Sequence, residues 1–128
     1  MNKVIYTKKA PAPVGPYSQA ILANNTLYCS GQIAINPETD IFERGTVTEQ
    51  TERICKNISA LLEEAGTSFE NVIKTTCFLT SMEDFAEFNR VYEKYFISKP
   101  ARSCVAAKEL PKDALAEIEV IAQVLQVK

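Results

Sequence analysis

The 128-residue sequence contains no histidine. That absence removes the Ser-His-Asp and Cys-His arrangements of nucleophilic hydrolases, the metalloprotease helix and most zinc or iron ligand sets at once. Any proton transfer then falls to a carboxylate, a lysine, a tyrosine, a thiol or water. There is no C-x-x-C pair either: the four cysteines, Cys29, Cys55, Cys77 and Cys104, are widely spaced. Three of them fall in predicted strands and one in a predicted helix, so buried, reduced thiols are expected rather than disulfides or a zinc site. The N-terminus lacks the charged, apolar and small-residue order of a secretory signal, and no apolar run approaches the roughly 20 residues that span a bilayer. A cytoplasmic location without membrane contact is the default expectation. Basic blocks are missing as well. With a net charge of −2 and scattered acidic residues, the surface is not built to neutralise phosphates, which makes nucleic acid a poor partner.

What is present fits one compact domain spanning residues 1–128, with 46% hydrophobic residues to bury. Lys3 to Thr7 reads as a short first strand. Three of the six prolines then fall within Ala10 to Pro16, and because proline fixes φ and lacks a ladder donor, this is a stiff, irregular connection that delivers Tyr17 and Ser18 to a defined place. Gln19–Ala23 and Thr26–Ser30 form a predicted hairpin about Asn24-Asn25, residues that tolerate positive φ. Gly31, just beyond Ser30, would allow a ligand or another backbone to approach closely, although a plain turn would use the same pair. Asn36 to Asp40 is a loop by composition.

Thr46 and Glu49 have the spacing of a capping box, and Ile54, Ile58, Leu61, Leu62 and Ala65 recur at helical spacing until Gly66. Val72 to Leu79 reads as a central strand, within which Lys74 is a snorkelling surface residue rather than a Schiff-base lysine. Ser81 to Asp84 gives a second capping signal. Phe85, Phe88, Tyr92 and Phe96 then place an aromatic stripe on one face of a helix, a pattern of cores, with Asn89 at its edge.

The C-terminal third carries the most information. Pro100 to Ala107 and Ala114 to Ala122 each alternate as strands on either side of a turn containing Pro111. Side chains two apart share a face, so Arg102 and Cys104 point one way, while Glu117 and Glu119 lie opposite the apolar face formed by Ile118, Val120, Ala122 and Val124. With Ile121 and Leu125 added, the last strand is apolar on much of both faces. Two helices cover only one face of such a sheet, so the other implies a partner subunit.

The segment PARSCV, the LPKDAL turn and EIEVIA resemble the C-terminal signature of the Rid family, specifically its deaminase A subgroup of enamine and imine deaminases. The resemblance extends to Gly15-Pro16-Tyr17-Ser18-Gln19, Ser30-Gly31-Gln32-Ile33 and Lys74-Thr75-Thr76 with Phe78, nearly the whole chain. It implies an α+β, chorismate-mutase-like fold: a six-stranded, mostly antiparallel mixed sheet with two helices on one face, assembled as a homotrimer with ligand clefts between neighbours. The implied activity is cofactor-free and metal-free hydrolysis of 2-iminopropanoate and 2-iminobutanoate to 2-oxo acids and ammonia, protecting pyridoxal-phosphate enzymes.

Arginine's planar fork matches the carboxylate of a 2-imino acid and stays charged, which makes Arg102 the candidate anchor. Glu117, matched to the family's EIE, is the candidate for holding and polarising the attacking water. On spacing alone Glu119 competes with it, and an interface ion pair or an exposed strand position would use the same residues. By resemblance, Tyr17, Ser30, Gly31, Asn89 and Cys104 line the site, with Cys104 in a binding role rather than as a covalent nucleophile. A non-catalytic trimeric module that captures small 2-oxo or carboxylic acids is the alternative, with RNA cleavage or translation inhibition behind it.

Overall fold

In the computed structural model, residues 2–125 are described. Six segments form one sheet: β1 (Lys3–Ile5), β2 (Ala20–Ala23), β3 (Thr26–Gln32), β6 (Val72–Leu79), β7 (Ala101–Ala106) and β8 (Ala116–Gln123), in the order β1-β2-β3-β8-β6-β7. Every neighbouring pair is antiparallel except β6 and β7. A parallel pair needs a crossover rather than a tight turn, and α2 (Phe85–Tyr95) supplies it. Although β7 and β8 are consecutive in the chain, they flank β6 from either side and do not pair with each other. The expected hairpin joins β2 to β3, with Asn24 at φ 56°.

The loop expected at Asn36–Asp40 forms, as a turn over residues 37–40, and it joins two short strands that the sequence does not signal: β4 (Ile35–Asn36) and β5 (Ile41–Phe42), paired as a two-stranded ribbon. Strands of two residues are too short for alternation to register in a sequence. The ribbon is held to the first helix, α1 (Val47–Glu64), by Asn57, whose Nδ2 donates to Ile35 O at 2.9 Å.

The capping box forms as expected. Thr46 Oγ1 accepts from Glu49 N–H at 3.2 Å, and the Glu49 carboxylate accepts from Thr46 N–H at 2.9 Å. The helix is followed by Gly66 at φ 83°, a backbone shape that favours glycine. Its inward side chains Ile54, Ile58 and Leu61 are wholly buried, and truncating any of them to alanine costs about 2–5 kcal/mol. The second capping signal works one step earlier than expected: Ser81 Oγ accepts from Glu83 N–H, closing a short 3-10 turn, and α2 itself begins without a side-chain cap. Phe88, Tyr92 and Phe96 are buried as the stripe predicted, with Tyr92 stacked on Phe96 at 4.3 Å between ring centroids.

Both helices cover the same face of the sheet, where Ile118, Val120 and Ala122 are buried. The other face carries apolar side chains in the open: Val4, Tyr28, Ile73 and Val105 are 44–61% exposed. Ile121 is half-buried among them, and Lys74, opposite it on β6, is half-buried as well. Cys29, Cys55 and Cys77 are buried and free, whereas Cys104 is half-exposed, less buried than expected, because β7 is an edge strand. Among the described residues no helix is long and apolar enough to cross a membrane.

Candidate functional site

Arg102 projects from β7 toward α2. On β6, Thr75 lies opposite Arg102 on one side and Val120 on the other, so the arginine shares the helix-covered face. Because β7 is at the edge, the guanidinium reaches past the sheet to α2, where Phe85, Asn89 and Tyr92 occupy one line of the helix at i, i+4 and i+7. Nη1 donates to Asn89 Oδ1 at 2.7 Å, and the guanidinium carbon stands 4.7 Å from the Tyr92 ring centroid and 5.5 Å from that of Phe85. The groove outside this bracket is also lined by Ile97, Lys99 and Pro100. Cys104 sits two residues along on the same face, directly across from Cys77. Burial pushes the Cys104 thiol up, and the neighbouring Arg102 charge offsets this only in part. A protonated thiol is a poor nucleophile, in line with a lining role.

Glu117 lies on the other face. It pairs across β6 with Phe78, three residues from Thr75, and beyond Phe78 with Val105. Its carboxylate rests on Gly31: a Cβ built there would stand 2.0 Å from Glu117 Oε2. The glycine is required because any side chain would displace the acid. The two residues border a cavity of about 130 Å³, walled also by Tyr17, Val14, Ile33 and Lys112. Burial, then the Glu119 carboxylate on the same strand face, push the Glu117 carboxyl above its ordinary range. A carboxylate raised in this way is a stronger base than an ordinary one.

The predicted site residues thus separate into two groups. Arg102, Asn89 and Cys104 stand together on the helix-covered face, and Tyr17, Gly31 and Glu117 on the other. Within one copy of the chain, Arg102 borders the groove beside α2 and Glu117 borders the cavity beside Gly31, on opposite faces of the sheet. Ser30 serves the second group indirectly: its hydroxyl donates to Ser18 O at 2.6 Å and pins the backbone next to Tyr17. Among the described residues the ion pairs are Lys9–Glu63, Arg53–Glu43 and Lys94–Glu52, so neither Arg102 nor Glu117 has a charged partner.

Two contributors escaped the sequence reading. Gln19 is buried, and its amide braces the proline-rich segment: Oε1 accepts from Thr7 N–H at 2.8 Å, while Nε2 faces the carbonyls of Thr7, Ala10 and Pro11 at 2.8–3.1 Å. This holds the wall that carries Tyr17. The rings of Phe85 and Tyr92, read only as core, also form the bed of the guanidinium, and their i, i+4, i+7 spacing with Asn89 was the available signal.

Comparison with known proteins identifies relatives of the same fold over nearly the whole chain. A RutC family protein of Pyrococcus abyssi is 52% identical over 122 residues, 94% of this chain and 96% of the relative. A Yersinia pestis protein described as of the conserved Rid protein family, of unknown function, superposes with a TM-score of 0.94 at 48% identity, covering 97% of this chain and 100% of that one. The structure of E. coli TdcF with bound serine gives a TM-score of 0.89 at 38% identity over 94% of this chain and 98% of its own. The family profile described as Endoribonuclease L-PSP matches residues 7–124, and the chain belongs to that family.

Proposed function

We propose that the chain hydrolyses 2-imino acids and their enamine tautomers, of the size of 2-iminopropanoate and 2-iminobutanoate, to 2-oxo acids and ammonia, at sites assembled between neighbouring copies in a homotrimer. The observation that carries this reading is a guanidinium without a charged partner among the described residues, bedded on aromatic rings, together with a carboxylate on the opposite sheet face that is pressed onto Gly31 and made more basic by burial and by Glu119. The open, apolar sheet face that also carries Glu117 is the surface on which a neighbouring copy would pack, which would set the cavity beside Gly31 at the contact between copies.

In this mechanism Arg102 grips the substrate carboxylate through its remaining N–H donors and fixes C2 in place. With the substrate in its iminium form, the Glu117 carboxylate accepts a proton from water as the water oxygen bonds to C2 and the C=N electron pair moves to nitrogen, giving a neutral carbinolamine. Glu117 returns that proton to the nitrogen, the carbon–nitrogen bond breaks as the hydroxyl oxygen forms the carbonyl, and the hydroxyl proton passes through Glu117 to the departing ammonia, which leaves as ammonium. No redox step or covalent enzyme intermediate is needed, and Cys104 and Tyr17 act as walls. Clearing such imines would shield pyridoxal-phosphate enzymes from them. The TdcF neighbour holds serine, which presents the same carboxylate beside a nitrogen-bearing carbon. RNA cleavage, which the family's label names, has less support here, since no histidine is present to shuttle protons and the net charge is −2.

Coupling the purified protein to a threonine dehydratase and following iminobutanoate decay tests the reading. Decay accelerated by the native protein and restored to the uncatalysed rate by Arg102→Ala is expected. Unchanged decay with native protein would refute it, and carboxylate binding without turnover in both native protein and Glu117→Ala would establish a binding module instead.

A further inference from the structure

We propose that Tyr92, assisted by Phe85, is a positioning residue that sets the orientation in which Arg102 meets a substrate carboxylate. The proposal rests on the reading of Arg102 as carboxylate anchor. An arginine on an edge strand has four rotatable bonds and would sample many directions. Here the guanidinium lies 4.7 Å from the Tyr92 ring centroid and 5.5 Å from that of Phe85, with Nη1 held by Asn89 Oδ1 at 2.7 Å. That contact uses one of the five donors and leaves the others for a ligand.

Tyr92 is in turn immobilised. Its hydroxyl lies 2.7 Å from Thr75 Oγ1, a side chain with no exposed surface, and its ring stacks on Phe96 at 20° between planes. Thr75 is also the residue directly across from Arg102 on β6. Thr75, Tyr92 and Arg102 therefore form a closed circuit of one hydrogen bond, one ring contact and one strand pairing. The Tyr92 ring contact and the Asn89 hydrogen bond act on the guanidinium together and hold it in one direction.

Two variants separate positioning from packing. Tyr92→Phe keeps the ring but leaves the buried Thr75 hydroxyl without its partner, while Tyr92→Leu also removes the ring. Both are expected to lower Tm. Only Tyr92→Leu should weaken binding of 2-oxobutanoate, measured by calorimetry, and raise KM, each about tenfold, with kcat within about twofold of native. Equal 2-oxobutanoate affinity in Tyr92→Leu and Tyr92→Phe, alongside lost affinity in Arg102→Ala, would overturn the positioning role and leave the anchor intact. Unchanged affinity in Arg102→Ala would overturn the anchor and the positioning role together. If Tyr92→Leu does not fold, Phe85→Leu removes the half-exposed ring; a smaller loss of affinity supports the proposal and none overturns it.

Discussion

Gly31→Ala adds a single methyl group where the Glu117 carboxylate now rests. The added carbon would lie 2.0 Å from Oε2, 2.9 Å from Cδ and 3.2 Å from Cγ of Glu117. Ordinary contact begins at about 3.5 Å, so the carboxylate must retreat by more than about 1 Å. It is the end of a flexible side chain with room in the cavity beside Tyr17 and Lys112. The fold can therefore absorb the change, and we expect Tm to stay within about 4 °C of native. Catalysis cannot absorb it as easily, because a misplacement of about 1 Å costs on the order of 100-fold in rate. Iminobutanoate turnover should fall by about that factor, while 2-oxobutanoate binding at Arg102, on the other sheet face, holds within about twofold. Combining the substitution with Glu117→Gln gives the decisive control: once the acid is gone, the methyl group should cost little more. Turnover within about twofold of native in Gly31→Ala, or full additivity in the double variant, would refute the claim that Gly31 acts by seating Glu117.

Two further predictions follow from the same side of the sheet. Burial and Glu119 raise the Glu117 carboxyl in the folded chain, so the folded state holds its proton more tightly than the unfolded one, and ionising it costs stability as pH rises. Glu117→Gln should therefore match native Tm below the ordinary carboxylate range and exceed it near neutral pH; equal Tm throughout would show that the carboxyl is not perturbed. Gln19→Leu should lower unfolding stability by about 2–3 kcal/mol in urea titrations, since it strips the buried Thr7 N–H of its partner and frees the Tyr17 segment. A change below about 0.5 kcal/mol would mean that water replaces the amide.

Local features were the most legible in the sequence. The Thr46–Glu49 box, the turn at Asn24 and the burial of Phe88, Tyr92 and Phe96 each depend on residues a few positions apart, and each forms as expected. Alternation also correctly paired Arg102 with Cys104 and set Glu117 opposite Ile118. It could not relate one strand to another. Only the register through β6, with Thr75 beside Arg102 and Phe78 beside Glu117, shows that the two candidate groups occupy opposite faces. The same limit hid the insertion of β6 between β7 and β8. Gln19 was missed for a different reason: a glutamine in an apolar run gives no sign of which distant carbonyls it will meet.

Mixing two strongly impaired variants tests the shared site most directly. Arg102→Ala and Glu117→Gln are purified separately, unfolded, and refolded together so that their subunits randomise. If a working site needs Arg102 from one protomer and Glu117 from its neighbour, the mixture regains a fraction of native iminobutanoate turnover that neither variant shows alone. A mixture no more active than its parents would contradict a site shared between copies.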